Sequence, residues 1–334
     1  MHIDVLQKTA QAMVAKGKGI LAIDESHGTC KKRFEKLGVA FTEENRRAYR
    51  DMLITAPDTE KYLSGMILFD ETIRQKTLDG TPFPEILKRK GIITGITVYT
   101  NSMAGLALHP GECISEGLDG LRERLPEYIA LGAQFAKWRA VITIGENTPS
   151  QACIKANMHL LSRYAALCQE AAIVPIVEPE ILFDGNHSFE RCAQASAATW
   201  DTLFAELREQ GVELSGTILK TSMVLSGKEC PEQADIQTVA TVTVKTLKEH
   251  VPPTLAGVVF LSGGQDDEDA TLRLNAMHTL DQTLPWPLSF SYGRGIQNPA
   301  LKIWADDKTN TQGAQAALLE RAKANAFASQ GRYV

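Results

Sequence analysis

The amino-acid sequence predicts an α/β protein, a single (β/α)8 or TIM barrel over residues 1–334 with an extra helix at each end. Eight short apolar runs, each bounded by turn or polar residues, alternate with segments that have helical signals. The runs are apolar at successive positions, which is typical of parallel strands covered by helices. An open, doubly wound sheet is the structural alternative, but no G-x-G-x-x-G turn follows the first run.

The predicted strands and helices follow one another along the chain. The strands are at 19–23, 65–69, 92–98, 134–142, 173–177, 216–219, 256–261 and 288–290. Residues that commonly begin helices stand between them at Thr42, Ser150 and Ser188. The helical spacing of apolar residues in 3–13 predicts the N-terminal helix, and residues 312–328 are predicted to form the last helix outside the barrel.

Composition and charge limit the functional classes. Hydrophobic residues make up 44% of the chain, and no stretch approaches the roughly 20 apolar residues that span a bilayer. The N-terminal segment lacks the apolar core of a signal peptide, so we expect a cytoplasmic protein. The net charge of −5 includes no long block of like charge, which predicts neither nucleic acid nor a membrane as a partner. The six cysteines form no C-x-x-C pair and are expected to be reduced.

Charged and polar residues follow the predicted strands at the ends where barrel enzymes place their active sites. A lone strand lysine is more often salt-bridged than catalytic, because buried charge is unfavourable unless it is paired. Here so many charged groups meet at one mouth that a bound polar ligand is the simpler explanation. The residues are Asp24, Lys137, Arg139, Glu178, Glu180, Lys220, Ser291 and Arg294.

Lys220 is the predicted nucleophile. An amine attacks a carbonyl only when it is partly unprotonated, and burial or a neighbouring cation such as Lys137 favours that state. Considered alone, Lys137 suits a purely structural ion pair or cation–π contact as well as it suits a role in catalysis. Glu178 and Glu180 lie two residues apart, so both point to one face of an extended strand. Such a pair suits general acid–base chemistry, and the alternative is that each carboxylate pairs with a lysine.

Glycine-rich turns after the seventh and eighth predicted strands indicate a phosphate site, because these loops commonly bind phosphate in barrels. Their backbone N–H groups and one guanidinium suit a dianion. The residues are Ser262, Gly263, Gly264, Gly293 and Arg294. Lys32 and Arg33 could reach a second phosphate, or could simply begin a solvated helix.

A divalent metal is the chemical alternative to an amine nucleophile. The seven histidines form no H-E-x-x-H motif, and only His27 lies near the predicted mouth. Catalysis without a metal or another cofactor is therefore favoured.

These residues lie in motifs that resemble the class I fructose-bisphosphate aldolases, the Schiff-base family of glycolysis, over nearly the whole chain. The motifs are LAIDES at 21–26, AKWR at 136–139, VPIVEPEIL at 174–182, LK at 219–220, FLSGGQ at 260–265 and FSYGR at 290–294. The resemblance implies reversible cleavage of fructose 1,6-bisphosphate to dihydroxyacetone phosphate and glyceraldehyde 3-phosphate, in glycolysis or gluconeogenesis. It also implies a homotetramer.

The resemblance further implies a role for each site residue. Lys220 is expected to form the Schiff base, and Glu178 to move the protons of imine formation and of the C4 hydroxyl. Asp24 is expected to orient the substrate and the lysines, with Lys137 assisting the carbinolamine step. The residues expected near the C1 phosphate are Ser262, Gly263, Ser291, Gly293 and Arg294. The candidates nearer the C6 end are Ser26, Thr29, Lys32, Arg33 and Arg139.

The sequence departs from the family pattern at several places, including Thr221-Ser222 where Pro-Asn is typical and Phe183 where proline is usual. Two further departures bear on the site. Thr97 stands where the third strand of the family usually ends with lysine, and the sequence ends at Val334 without the tail whose terminal tyrosine helps to protonate the enamine in many relatives. These departures predict normal cleavage chemistry with altered specificity or slower enamine protonation. Two alternatives stay open: an aldolase that prefers fructose 1-phosphate or sedoheptulose 1,7-bisphosphate, and a sugar-phosphate-binding scaffold with little activity.

Overall fold

A computed structural model describes residues 3–280 and 283–334 and confirms the predicted barrel. The strands are β1 (Gly19–Ala22), β2 (Leu63–Leu68), β3 (Ile93–Thr97), β4 (Asn101–Gly105), β5 (Cys113–Glu116), β6 (Phe135–Ile142), β7 (Val174–Ile181), β8 (Ile218–Thr221), β9 (Gly257–Phe260) and β10 (Leu288–Tyr292). Eight of them close into a parallel barrel in the order β1, β10, β9, β8, β7, β6, β3, β2. β4 and β5 form a separate antiparallel hairpin.

Helices surround the barrel and include the two predicted terminal helices. They are α1 (Ile3–Met13), α2 (His27–Glu35), α3 (Glu43–Thr55), α4 (Asp70–Arg74), α5 (Phe83–Lys90), α6 (Leu121–Ala130), α7 (Gln151–Glu170), α8 (Phe189–Glu209), α9 (Ile236–His250), α10 (Asp267–Thr279), α11 (Arg294–Asp306) and α12 (Thr311–Ala328). The hydroxyls of Thr42, Ser150 and Ser188 cap α3, α7 and α8, as predicted. Over the described residues, none of the helices is both long and apolar enough to cross a membrane.

Apolar side chains fill the barrel interior, and α1 covers its amino end. Phe135 of β6 lies inside, and a Cβ atom on Gly95 of β3 would come within 2.2 Å of its ring. Glycine is therefore required beside this phenylalanine. Leu6 and Met13 of α1 are fully buried in the same apolar cluster. Because this end is filled with apolar groups, the polar side chains gather at the carboxyl ends of the strands.

The hairpin of β4 and β5 was not predicted from the sequence, because its short strands lack a run of β-branched or aromatic residues. It packs against β6. Ser102 Oγ accepts a hydrogen bond from Arg139 Nη1 at 3.2 Å, and Ser115 Oγ donates to the Arg139 carbonyl oxygen at 2.5 Å. The hairpin therefore contacts a residue that the sequence analysis assigned to the barrel mouth.

Candidate active site

Four charged side chains meet at the carboxyl ends of β1, β6, β7 and β8. Lys137 Nζ lies 2.7 Å from Asp24 Oδ2 and 3.2 Å from Glu178 Oε2. Lys220 Nζ lies 3.1 Å from Glu178 Oε1, and its side chain is only 5% exposed. Glu178 therefore bridges two lysines that the sequence analysis treated as direct neighbours. We call Asp24, Lys137, Glu178 and Lys220 the ion-paired cluster.

The alternation of side chains along parallel strands explains why these groups meet. In β6, Lys137 and Arg139 both contact carboxylates at the mouth, whereas Trp138 between them is fully buried and packs on Tyr164 of α7. In the neighbouring strand β7, Glu178 lies opposite Arg139 in the register. Residues two apart on a strand share a face, so the two strands together direct alternate charged residues towards the mouth.

The charges of the ion-paired cluster stabilise one another. Burial alone would raise the pKa of Asp24, but the charges of Lys137 and Lys220 outweigh it and lower that pKa to about 2. Burial also opposes the charged form of Lys137, yet the charges of Asp24 and Glu178 raise its pKa well above the usual value. At neutral pH Asp24 is therefore a carboxylate and Lys137 an ammonium. Within the described residues Lys137 has two carboxylate partners and Lys220 has one.

Glu180 makes its ion pair with Arg139 rather than with either lysine. Burial raises the pKa of Glu180, but the charge and the hydrogen bonding of Arg139 outweigh it, so the pKa is lowered. Glu180 is thus ionised, and it holds the guanidinium together with Ser102 of the hairpin. This arrangement separates the two glutamates by partner: Glu178 contacts the two lysines and Glu180 contacts the arginine.

Two residues at the end of β3 act on the cluster, and the sequence analysis did not identify their contacts. Thr97 donates its hydroxyl to Asp24 Oδ2, the same oxygen that Lys137 contacts. Tyr99 presents its ring to Lys137, with Nζ 4.9 Å from the ring centroid. Both alternatives for Lys137, the ion pair and the cation–π contact, are therefore present. Strand-end position was the available signal, but it was applied to charged residues and not to Tyr99.

Two loops meet at the carboxyl ends of β9 and β10, and we call residues 262–264 and 291–295 the anion loops. Ser262 Oγ accepts a hydrogen bond from the backbone N–H of Gly295 at 3.4 Å, which joins them. Gly263 and Gly264 have φ angles of +53° and +89°, a region that favours glycine. A Cβ atom on Gly264 would lie 3.6 Å from Arg294 Nη2, so the guanidinium packs over this residue.

The anion loops contain polar groups without partners in the described part of the chain. Ser291 Oγ is buried and makes no hydrogen bond. Gly293 precedes α11 and offers no side chain to cap it, so the positive end of the helix dipole faces the loop. An anion bound here would satisfy donors that the protein leaves unpaired.

Residues of α2 and the turn before it lie on another side of the mouth. Ser26 Oγ caps α2 by accepting from the backbone N–H of Thr29 at 3.4 Å. Ser26, Thr29 and Lys32 are exposed. Arg33, by contrast, forms an ion pair with Glu25. The structure therefore leaves three of these four sequence-predicted residues open to solvent and directs the fourth to a partner within the protein.

No three histidine, cysteine or acidic side chains in residues 3–280 and 283–334 lie close enough together to hold a metal ion. His27, the histidine expected near the mouth, has its Nε2 atom 3.3 Å from Glu71 Oε2. The polar groups at the mouth are instead amines, carboxylates, hydroxyls and a guanidinium.

A closed barrel with these groups at its mouth defines an α/β-barrel enzyme. The family model described as fructose-bisphosphate aldolase class-I matches residues 5–334. The chain therefore belongs to the class I fructose-bisphosphate aldolase family, and the resemblance found in the sequence is confirmed. Members of this family are lyases, as the sequence analysis expected.

Similar proteins cover nearly the whole chain. A protein of Xanthomonas axonopodis pv. citri named probable fructose-bisphosphate aldolase class 1 is 59% identical over 100% of this chain and 99% of its own. Fructose-bisphosphate aldolase C of Carassius auratus is 47% identical over 98% of this chain and 91% of its own. A solved structure of fructose-bisphosphate aldolase from Plasmodium falciparum, in complex with TRAP and a small molecule inhibitor, superimposes with a TM-score of 0.97 at 45% identity. The match covers 99% of this chain and 96% of the Plasmodium falciparum chain.

Proposed function

We propose that this protein cleaves fructose 1,6-bisphosphate reversibly to dihydroxyacetone phosphate and glyceraldehyde 3-phosphate, through a Schiff base on Lys220 and without a metal. One observation carries the proposal. Lys220, Glu178, Lys137 and Asp24 form a continuous chain of contacts of 2.7 to 3.2 Å at the barrel mouth. This chain contains an amine nucleophile, a carboxylate in contact with it and a second amine that stays protonated.

Imine formation begins when the Lys220 amine attacks the C2 carbonyl of the open-chain ketose. Glu178 is 3.1 Å from Lys220 Nζ and can accept the proton that the amine must lose. The adduct then expels its hydroxyl group as water after gaining a proton. Lys137 is the second ammonium in contact with Glu178, so it stabilises the negative charge on this carboxylate while protons move.

Carbon–carbon cleavage follows from the electron demand of the protonated imine. Glu178 takes the proton of the C4 hydroxyl, the C3–C4 bond breaks, and its electron pair moves into the imine to form an enamine. The aldehyde leaves. Protonation of the enamine at C3 and hydrolysis of the imine then release dihydroxyacetone phosphate. Asp24 remains ionised throughout, because its pKa is about 2, and it holds the Lys137 ammonium in place.

The substrate's two phosphates are assigned to different parts of the mouth. We place the C1 phosphate at the anion loops, where Ser291 Oγ lacks a partner and Arg294 begins a helix. We place the C6 phosphate towards Arg139 and the exposed residues Ser26, Thr29 and Lys32. The ion pair of Arg33 with Glu25 supports an indirect role for Arg33, and the ion pair of Glu180 supports a role in orienting Arg139.

A related activity is favoured by Thr97. Thr97 stands where the family usually has a lysine, so β3 ends with no lysine for the far end of the substrate. The Thr97 hydroxyl itself is engaged with Asp24. A ketose that lacks or displaces the far phosphate, such as fructose 1-phosphate or sedoheptulose 1,7-bisphosphate, is therefore the second candidate. Comparing kcat/KM for the three sugars distinguishes the proposed activity from this second candidate.

The domain organisation, assembly, compartment and metabolic role of the enzyme also belong to this proposal. We propose one domain over 1–334, assembled as a homotetramer in the cytoplasm and acting in glycolysis and gluconeogenesis. The family resemblance supports the assembly, and a 47% identical Arabidopsis thaliana protein is named a cytosolic aldolase. A Chlamydomonas reinhardtii protein of equal identity is named chloroplastic, so the compartment differs between relatives.

Borohydride trapping tests the mechanism. The protein is reduced in the presence of dihydroxyacetone phosphate, and the labelled peptide is identified by mass spectrometry. Cleavage of fructose 1,6-bisphosphate is assayed with and without chelator. We expect an adduct on Lys220 and activity that the chelator does not change.

Two lysine variants make this test specific. Lys220→Met should abolish both the adduct and cleavage. Lys245→Met, at an exposed position of α9, should retain both. An adduct on another lysine, or activity lost to the chelator, would contradict the proposed mechanism.

A further inference from the structure

Tyr99 has a hydroxyl group that makes no hydrogen bond to the part of the protein that the structure describes. Among the seven tyrosines, five donate their hydroxyls to partners within the protein. They are Tyr49, Tyr128, Tyr164, Tyr292 and Tyr333. Tyr62 and Tyr99 make no such hydrogen bond in the described part of the chain. Tyr62 precedes β2, at the amino end of the barrel, whereas Tyr99 follows β3 at the carboxyl end.

The Tyr99 side chain is held in a defined position at the mouth. Its ring packs edge-to-face on Trp138, with centroids 6.3 Å apart, and faces the Lys137 ammonium. The backbone beside it is fixed by Gly117, where a Cβ atom would lie 3.1 Å from Tyr99 Cα and 2.7 Å from the Thr100 backbone nitrogen. Gly117 has a φ of +129°, so a larger residue there would both collide and be strained.

The charged groups near Tyr99 are cations and carboxylates of the barrel mouth. Burial raises the pKa of Tyr99, and the charges of Lys137, Asp24, Arg139 and Glu178 also act on it. The hydroxyl is therefore within electrostatic range of the ion-paired cluster and of Arg139. Because the pKa is raised, the phenol keeps its proton at neutral pH and can donate a hydrogen bond.

The strand order places Tyr99 opposite the anion loops. Around the barrel, β3 lies four strands from β9 in either direction, and β6 lies four strands from β10. A bisphosphate that spans the mouth from the loops after β9 and β10 has its other phosphate near β3 and β6. On that side the Thr97 hydroxyl is engaged with Asp24, and Arg139 is held by Glu180. The Tyr99 hydroxyl has no hydrogen-bond partner among residues 3–280 and 283–334.

We propose that Tyr99 is a further substrate-contacting residue, whose phenol O–H donates a hydrogen bond to the phosphate at the far end of the ketose bisphosphate. The inference rests on the proposed function. It adds a neutral donor to the far-end subsite, on the strand whose Thr97 replaces the expected lysine. The chain would then distinguish fructose 1,6-bisphosphate from fructose 1-phosphate in part through this hydroxyl.

Tyr99→Phe tests the proposal, because it removes the hydroxyl and keeps the ring over Lys137 and against Trp138. We expect kcat/KM for fructose 1,6-bisphosphate to fall roughly 10- to 100-fold, the effect of losing a hydrogen bond to a charged group. The change should lie mainly in KM. Fructose 1-phosphate, which lacks the far phosphate, should be cleaved as by the unaltered protein.

Tyr62→Phe is the matched control, since it removes the other hydroxyl without a partner at the opposite end of the barrel. It should change the kinetics of neither sugar. Equal losses for both sugars in Tyr99→Phe would overturn the proposal, because the hydroxyl would then act at the reacting end or through Lys137. Unchanged kinetics with both sugars would overturn it as well.

A binding measurement separates this inference from the proposed function. If the unaltered protein binds both sugars but cleaves neither, the proposed function is wrong. Calorimetric titration with fructose 1,6-bisphosphate then still tests the hydroxyl. The unaltered protein should bind this sugar roughly 10- to 100-fold more tightly than Tyr99→Phe does. If cleavage and the Lys220 adduct are normal and only the Tyr99 effect is missing, the inference alone fails.

Discussion

The two sides of the barrel mouth are built on opposite principles. In the ion-paired cluster every charged group already has a partner, and Asp24, Lys137 and Glu178 hold one another at 2.7 to 3.2 Å. In the anion loops, within the described residues, Ser291 Oγ is buried without a hydrogen bond. Gly293 has no side chain to cap α11, although Ser262 Oγ accepts from the Gly295 N–H. The ion pairs of one side are formed before any ligand arrives, although Glu178 Oε2 makes no hydrogen bond within the described residues, and the other side has donors that a ligand would satisfy.

This difference separates two ways of preparing a site. The charges that we propose for proton transfer are fixed by mutual contacts, so their positions do not depend on the substrate. Donors that bind an anion are left unsatisfied, which lowers the stability of the free protein slightly and is offset when the anion binds. Substitutions on the two sides should therefore affect different quantities.

Glu178→Gln should have the largest effect, on the side that is complete. The amide keeps the shape of the carboxylate but cannot accept the proton of Lys220 or of the C4 hydroxyl. We expect kcat to fall about 10²- to 10⁴-fold with little change in KM. Glu206→Gln on α8, whose carboxylate contacts His159, is the control and should keep full activity. A fall of less than about tenfold for Glu178→Gln would remove Glu178 from the proton pathway.

Lys137→Met should have the next largest effect, on stability. It leaves Asp24 with an unpaired buried charge, which is expected to lower the free energy of unfolding by about 3 to 5 kcal/mol in urea titrations at neutral pH. The loss should shrink as the pH falls towards 2, because protonation of Asp24 removes the unpaired buried charge from the variant, and in the unaltered protein protonation at the pKa of about 2 ends the ion pair. Lys245→Met should be close to neutral. Equal stability of the two variants would show that the cluster is not mutually stabilised.

Ser291→Ala should have the smallest effect on stability, and this sharpens the contrast. Its hydroxyl has no partner in the free protein, so the free energy of unfolding should stay the same or rise by up to about 1 kcal/mol. KM for both fructose phosphates should rise roughly tenfold, since both carry the C1 phosphate. Ser289 provides the control on the same strand.

Ser289 Oγ donates to the Lys18 carbonyl oxygen at 2.6 Å, so Ser289→Ala should lower stability by about 1 kcal/mol and leave KM unchanged. Loss of stability in Ser291→Ala, or an unchanged KM, would show that the anion loops are satisfied before binding.

The barrel could be predicted from the sequence because its signals are local. Each strand is a short apolar run, and Thr42, Ser150 and Ser188 mark helix starts by their own side chains. Once eight strands are recognised, the fold itself brings their carboxyl ends together, so Lys220 and Glu178 could be assigned to one mouth.

The pairing of the site residues could not be predicted in the same way. Whether Glu178 or Glu180 contacts the lysines depends on how far along the strand each carboxylate reaches and on which cations flank it. The capture of Arg33 by Glu25 depends on the direction in which α2 leaves β1. Such contacts are set by the register between strands and by side-chain conformations, and neither has a sequence signature.

The hairpin of β4 and β5 has a consequence for how this enzyme could change. It lies outside the barrel, yet Ser102 holds the Arg139 guanidinium. Gly117, just beyond it, allows the close approach of the Tyr99 backbone. Substitutions in the hairpin and at Gly117 can therefore change the positions of the Arg139 and Tyr99 side chains at the mouth while every barrel strand stays intact. If the proposed function holds, the hairpin is a place where substitutions would change substrate preference while the barrel strands and the proposed catalytic lysines stay unaltered.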